Sequence, residues 1–140
     1  MSYSATIKLA PVWTFERHTD PRWNRPGRAL YEPGSLRFLP GRTEVPLLVD
    51  HNEDRQIGTV RELFRMDWID GPWICAHAVL DEPPVWMKQH ETKASFSHRN
   101  LHVRPYSEGD LIASAFVDEV SVLLRQTPRE PLAALLLARR

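Results

Sequence analysis

From residue 45 onward the chain alternates short apolar runs with polar turns at the period of a β-strand. Val45–Val49 is a compact apolar run. Ile57–Phe64 is a second, and Gly58 within it marks a bulge or a close backbone approach. Asp70-Gly71-Pro72 is a turn signal. Trp73–Leu80 follows with Trp73, Cys75, His77 and Val79 on one face and Ile74, Ala76, Ala78 and Leu80 on the other. Both faces are largely apolar, which predicts a central strand. Lys93–Val103 reads as another strand, and Leu111–Leu124 as one long strand or two with a break.

Ahead of this region, Ser4–Leu9 predicts an initial strand and Ser35–Leu39 a short one. Residues 11–46 are punctuated by Pro and Gly, which predicts an extended arm or long loop. Two helices are expected. Asp81-Glu82-Pro83-Pro84 places acids ahead of a first-turn proline and predicts a short helix over Pro84–His90. Glu130–Arg140, after Pro128 and Pro131, carries Leu132, Leu135 and Leu136 at helical spacing and ends in two arginines, which suit a helix C-terminus. The expected fold class is mainly β with a few helices, as a small antiparallel barrel or sandwich. There is no βαβ alternation and no glycine-rich phosphate loop.

Composition narrows the function. The chain has 140 residues, the size of one domain. Lys and Arg balance Asp and Glu at 18 each, so the basic excess of a general nucleic-acid binder is absent. Cys75 is the only cysteine, which rules out an intrachain disulfide and a cysteine-based zinc site. No basic leader with an apolar core opens the chain, and no apolar run is long enough to span a membrane. A reducing, cytoplasmic setting is expected.

Candidate chemistry begins at His51. The run Val45-Pro46-Leu47-Leu48-Val49-Asp50 delivers an imidazole to a polar turn, and histidine is the side chain that titrates nearest neutral pH. The bland alternative is a turn histidine bonded to the backbone of Asp50 or Asp54. In the strand Lys93–Arg99, Ser95, Ser97 and Arg99 share one face and Ala94, Phe96 and His98 the other. A serine becomes a nucleophile when a base lies within hydrogen-bond reach. At Phe116–Leu124 the carboxylates Asp118 and Glu119 interrupt an apolar strand; a buried one must be paired, and orienting an imidazole is one such role. His98 and His102 lie four apart, about 13 Å in a strand, too far to share one metal ion. They are read as surface or groove residues. His77 and Cys75 are read as core positions, and Trp68, Trp73 and Trp86 as packing anchors. No metal or cofactor is expected.

These three segments, in this order, resemble the prohead proteases of tailed bacteriophages, the serine peptidases of capsid maturation. The matching residues are Leu47-Leu48-Val49-Asp50-His51 with Ile57-Gly58-Thr59-Val60, then Ala94-Ser95-Phe96-Ser97-His98, then Glu119-Val120-Ser121-Val122. The resemblance covers roughly residues 45–131. It implies a β-barrel flanked by helices, similar to the herpesvirus maturation protease. It divides the chain into an N-terminal arm (1–44), a catalytic core (45–127) and a C-terminal helix (128–140) within one domain. It implies His51 as general base, Ser95 as nucleophile and Glu119 as orienter. Ser97 stands where the family has glycine, and is the competing nucleophile; Arg99 is a candidate oxyanion support. The implied substrates are the major capsid protein and the scaffolding protein, cut inside the procapsid in the bacterial cytoplasm, with self-cleavage and homo-oligomerisation compatible. A catalytically inactive assembly module of the same fold is the alternative.

Overall fold

The computed structural model describes residues 3–12, 28–69, 71–80, 83–87, 92–106, 109–126 and 135–139. Its elements are the strands β1 (Tyr3–Pro11), β2 (Arg28–Tyr31), β3 (Leu36–Arg37), β4 (Val45–Val49), β5 (Asn52–Trp68), β6 (Gly71–Leu80), β7 (Lys93–Tyr106), β8 (Gly109–Leu123) and β9 (Leu135–Arg139). They form one curled, half-barrel sheet in the order β2-β8-β4-β5-β6-β1-β9, with β3 and β7 also paired to β8.

The alternating pattern explains the strands. Ala5, Ile7 and Leu9 of β1, Val45, Leu47 and Val49 of β4, and Ala94 and Phe96 of β7 all turn into one apolar core. β6 lies between β5 and β1 and is buried on both sides, as its two apolar faces predict. Ile74, Ala76, Ala78 and Leu80 join the main core, while Trp73 and Cys75 form a second cluster with Phe64 and Trp68. The Lys8 ammonium lies over the Trp73 ring at 4.3 Å and the Trp68 ring at 5.0 Å, a cation–π cover for that cluster. Burial pushes the Cys75 thiol up, against smaller opposing effects of Trp68 and Lys8, so it packs as a small hydrophobe.

Gly58 makes the close approach. It stands between Leu47 and Leu80 in the sheet, and a Cβ there would lie 2.5 Å from the Val79 carbonyl oxygen. The β4–β5 register also shifts beside it, from Leu47↔Gly58 to Leu48↔Gln56.

Both expected helices need correction. Residues 83–87 form a turn closed by Met87 N–H to the Pro84 carbonyl at 3.0 Å; the remainder of the expected Pro84–His90 helix lies outside the described residues. Leu135–Arg139 is not helical but a strand, paired antiparallel to β1 from Tyr3↔Arg139 to Ile7↔Leu135. Its leucines stand next to one another, and so short an apolar run suits a strand as well as a helix. The open edge of β1 supplies backbone partners, which decides between them. Among the described residues there is no helix. The expected arm is partly sheet: β2 and β3 pair in parallel with β8. Residues 13–27 lie outside the described residues.

Candidate active site

β4 passes to β5 through two residues, Asp50 and His51, with Val49 paired to Asn52. Both linking residues have left-handed backbones, φ 50° and 58°. A two-residue hairpin whose twist matches its strands requires this conformation, and Asp and His are among the non-glycine residues that adopt it most readily. β4 also pairs in parallel with β8, Leu47↔Val120 to Val49↔Val122, and the Asp50 N–H continues the ladder to the Val122 carbonyl at 3.0 Å. The hairpin therefore places His51 above β8.

There its imidazole meets Glu119. His51 Nδ1 is hydrogen-bonded to Glu119 Oε1. The Ser121 hydroxyl donates to Glu119 Oε2 at 2.8 Å and accepts the His51 backbone N–H at 3.0 Å. Ser121 therefore clamps the ring's own main chain and the carboxylate together. Burial alone would push the Glu119 carboxyl up. Hydrogen bonds from His51, Ser97 and Ser121, with the His51 charge, outweigh it and hold the group below its ordinary value. Glu119 is thus a carboxylate at neutral pH, and the alternative of a histidine bonded only to its own turn does not hold.

The serine strand lies on the other side of β8. Ser95 is opposite Ser121, and Ser97 opposite Glu119, so all four share the face turned away from the core. Ser97 is exposed and lines the same cavity as Glu119. Ser95 is buried, 7% exposed. The register then shifts between Ser97 and His98, where the β8 partner passes from Glu119 to Val117 and leaves Asp118 unmatched. This bulge lets Val117 and Val120 both enter the core while the adjacent Asp118 and Glu119 both line one cavity.

That cavity, about 540 Å³, is lined by His51, Glu119, Ser97 and Asp118, with Pro46 and Leu48 as its apolar side. The exposed Arg42, Glu53 and Gln56 complete the lining. Arg99 is not among these residues; its guanidinium is bonded to Asp118 at 3.1 Å in an exposed ion pair. His98 is half-buried rather than a surface residue, with Nε2 at 3.0 Å from the Tyr31 hydroxyl and its ring packed on Phe96; His102 is exposed. Ser121 was missed by sequence reasoning, although period two places it on Glu119's face.

No protein-family model matches the chain, and no curated protein matches it. Solved structures do. The KSHV protease in complex with a hexapeptide phosphonate inhibitor superposes with a TM-score of 0.52 at 11% identity, over 100% of this chain and 66% of that one. The fold is that of the herpesvirus proteases. The varicella-zoster virus protease (TM-score 0.48, 11% identity, 99% and 64% of the two chains) also matches. So does the Kaposi's sarcoma-associated herpesvirus protease with a dimer disruptor (0.47, 12%, 100% and 78%). This chain spans under two thirds of the length of the first two herpesvirus proteases. The herpesvirus protease fold thus carries a histidine–carboxylate pair beside a serine-bearing strand in this chain.

Proposed function

We propose that this chain is a serine endopeptidase of capsid maturation, of the prohead-protease type, with His51 as general base, Glu119 as its orienter and Ser95 as nucleophile. The observation that carries the reading is the buried carboxylate of Glu119 on His51 Nδ1, which leaves Nε2 as the ring nitrogen available to a substrate. A carboxylate in that position fixes the tautomer and stabilises the imidazolium that forms during acyl transfer.

Ser95 is the proposed nucleophile as the serine that matches the family's motif, and Ser97 is the competing one. Ser97 lines the cavity with His51 and Glu119, which Ser95 does not. Ser95 stands opposite Ser121, the residue that anchors the His51 main chain. In the reaction Ser95 Oγ attacks the peptide carbonyl as Nε2 takes its proton. The same nitrogen then returns the proton to the leaving amine, and water repeats the sequence on the acyl-enzyme. Arg99, committed to Asp118, has no role in this scheme. The substrates are the major capsid protein and the scaffolding protein, and cleavage takes place inside the procapsid in the host cytoplasm.

The test combines co-expression with the capsid protein and labelling by a peptide phosphonate, with the adduct located by mass spectrometry. Ser95→Ala and His51→Ala are expected to abolish both processing and adduct, and Ser97→Ala to leave an adduct on Ser95. An adduct on Ser97 would move the nucleophile. Processing that survives both Ser95→Ala and His51→Ala overturns the enzyme reading, and absence of any adduct or processing in the wild type identifies an inactive assembly module.

A further inference from the structure

The turn that carries His51 is held by a carboxylate that takes no part in the scheme above. Asp50 Oδ1 accepts the backbone N–H groups of Leu124, Arg125 and Gln126 at 2.9, 3.2 and 3.2 Å, and Oδ2 accepts Arg125 N–H at 3.2 Å. The Gln126 side-chain amide returns to the Asp50 carbonyl at 3.0 Å, and the Asp50 N–H donates to the Val122 carbonyl. Three successive N–H groups thus converge on one side chain just where β8 ends and its ladder no longer satisfies them. Charge-assisted bonds of this kind are about twice as strong as neutral ones.

The neighbour of this carboxylate is His51, in a left-handed backbone that disfavours a β-carbon-bearing residue unless the surroundings impose it. Asp50 adopts the same conformation, so two consecutive strained residues depend on the attachments around them. One attachment is Ser121 to the His51 N–H. The other is the Asp50 tie to residues 124–126. Ser121, two residues after Glu119 in β8, and Leu124, the first residue past its end, lie on one stretch of chain, so the same segment carries the imidazole's carboxylate partner and the anchor of its hairpin. The two ends of the His51–Glu119 hydrogen bond are thus tied to one length of chain.

We infer that Asp50 is a positioning residue for the general base: its carboxylate on the Leu124–Gln126 backbone fixes His51 at the reach of Glu119. This rests on the peptidase reading for its kinetic consequence and on the geometry alone for its structural one. A misplacement of the base of about 1 Å is enough to cost about a hundredfold in turnover.

Three variants separate the roles. Asp50→Asn keeps an acceptor oxygen in place. Asp50→Gly removes the tie yet relieves the left-handed backbone, so a purely conformational role would be improved by it. Asp50→Ala removes the tie and keeps the strain. Two readouts are used on the full chain. The first is the low-field proton resonance of His51 Nδ1–H, which reports the bond to Glu119 without any catalysis. The second is kcat and KM for processing. For Asp50→Gly and Asp50→Ala the resonance is expected to disappear, kcat to fall about a hundredfold and KM to stay within about twofold. Asp50→Asn is expected to retain the resonance and most of kcat. Thermal unfolding of each variant confirms that a folded chain is being compared. Wild-type resonance and kcat in Asp50→Gly overturn the inference. If the wild type proves inactive, the resonance arm still decides the role of Asp50, and the failure falls on the peptidase reading.

Discussion

His51 and Glu119 stand 68 positions apart in sequence and are joined side chain to side chain, the imidazole Nδ1 on a carboxylate oxygen. The pair is stabilised from both partners: the Ser121 hydroxyl donates to the carboxylate and accepts the histidine main-chain N–H. Glu119→Gln keeps the shape and removes the charge. It is expected to lower kcat by about 100- to 10,000-fold with little change in KM, because the amide neither enforces the tautomer nor stabilises the imidazolium. Glu119→Ala is expected to add a loss of stability of about 1–3 kcal/mol, read by urea unfolding, since it strands the Ser121 hydroxyl and the imidazole N–H.

The lowered titration of Glu119 makes acid sensitivity predictable. A carboxyl that titrates lower in the folded than in the unfolded chain contributes stability that is whole above the unfolded value, about 4.3, and is lost as pH falls through the folded one. Urea midpoints of the wild type are therefore expected to drop below about pH 4 by more than those of Glu119→Gln. Equal acid profiles for the two proteins would contradict the assignment of that carboxylate as ionised and hydrogen-bonded.

Gly58 tests the sheet behind the site. A methyl group there meets the Val79 carbonyl oxygen at 2.5 Å, a backbone atom held in the β5–β6 ladder. Gly58→Ala is expected to cost about 1–3 kcal/mol by overpacking, seen as a lower Tm, with the His51 resonance retained in the folded fraction. Ala substitution at Gly34 or Gly41 meets no neighbour within 4 Å, and any cost there comes from backbone conformation alone (φ 70° and 88°).

Much of this was legible in the sequence, for physical reasons that differ by region. Val45–Val49 read as a strand and is one, because a short apolar run bounded by turn residues has few other uses. Trp73–Leu80 read as central because both of its faces are apolar, and it is buried on both. The face shared by Ser95 and Ser97 followed from period two. Pairing across β4, β8 and β7 was not legible, since nothing local in Val45–His51 encodes a parallel neighbour some seventy residues on. The Asp118 bulge was equally hidden: it reverses the facing of β8 midway, so simple alternation gives the wrong partner for one half of the strand. The chain end Leu135–Arg139 misled by its leucine spacing, and only the waiting edge of β1 decides it.

The parallel pairing of β4 with β8 has a consequence in time. His51 is synthesised long before Glu119, and its hairpin can form with β5 alone. No nascent chain lacking β8 holds the base against its carboxylate, and such long-range closures come late in folding because the loop entropy must be met first. On the proposed peptidase reading, competence to cut is therefore deferred to the finished sheet.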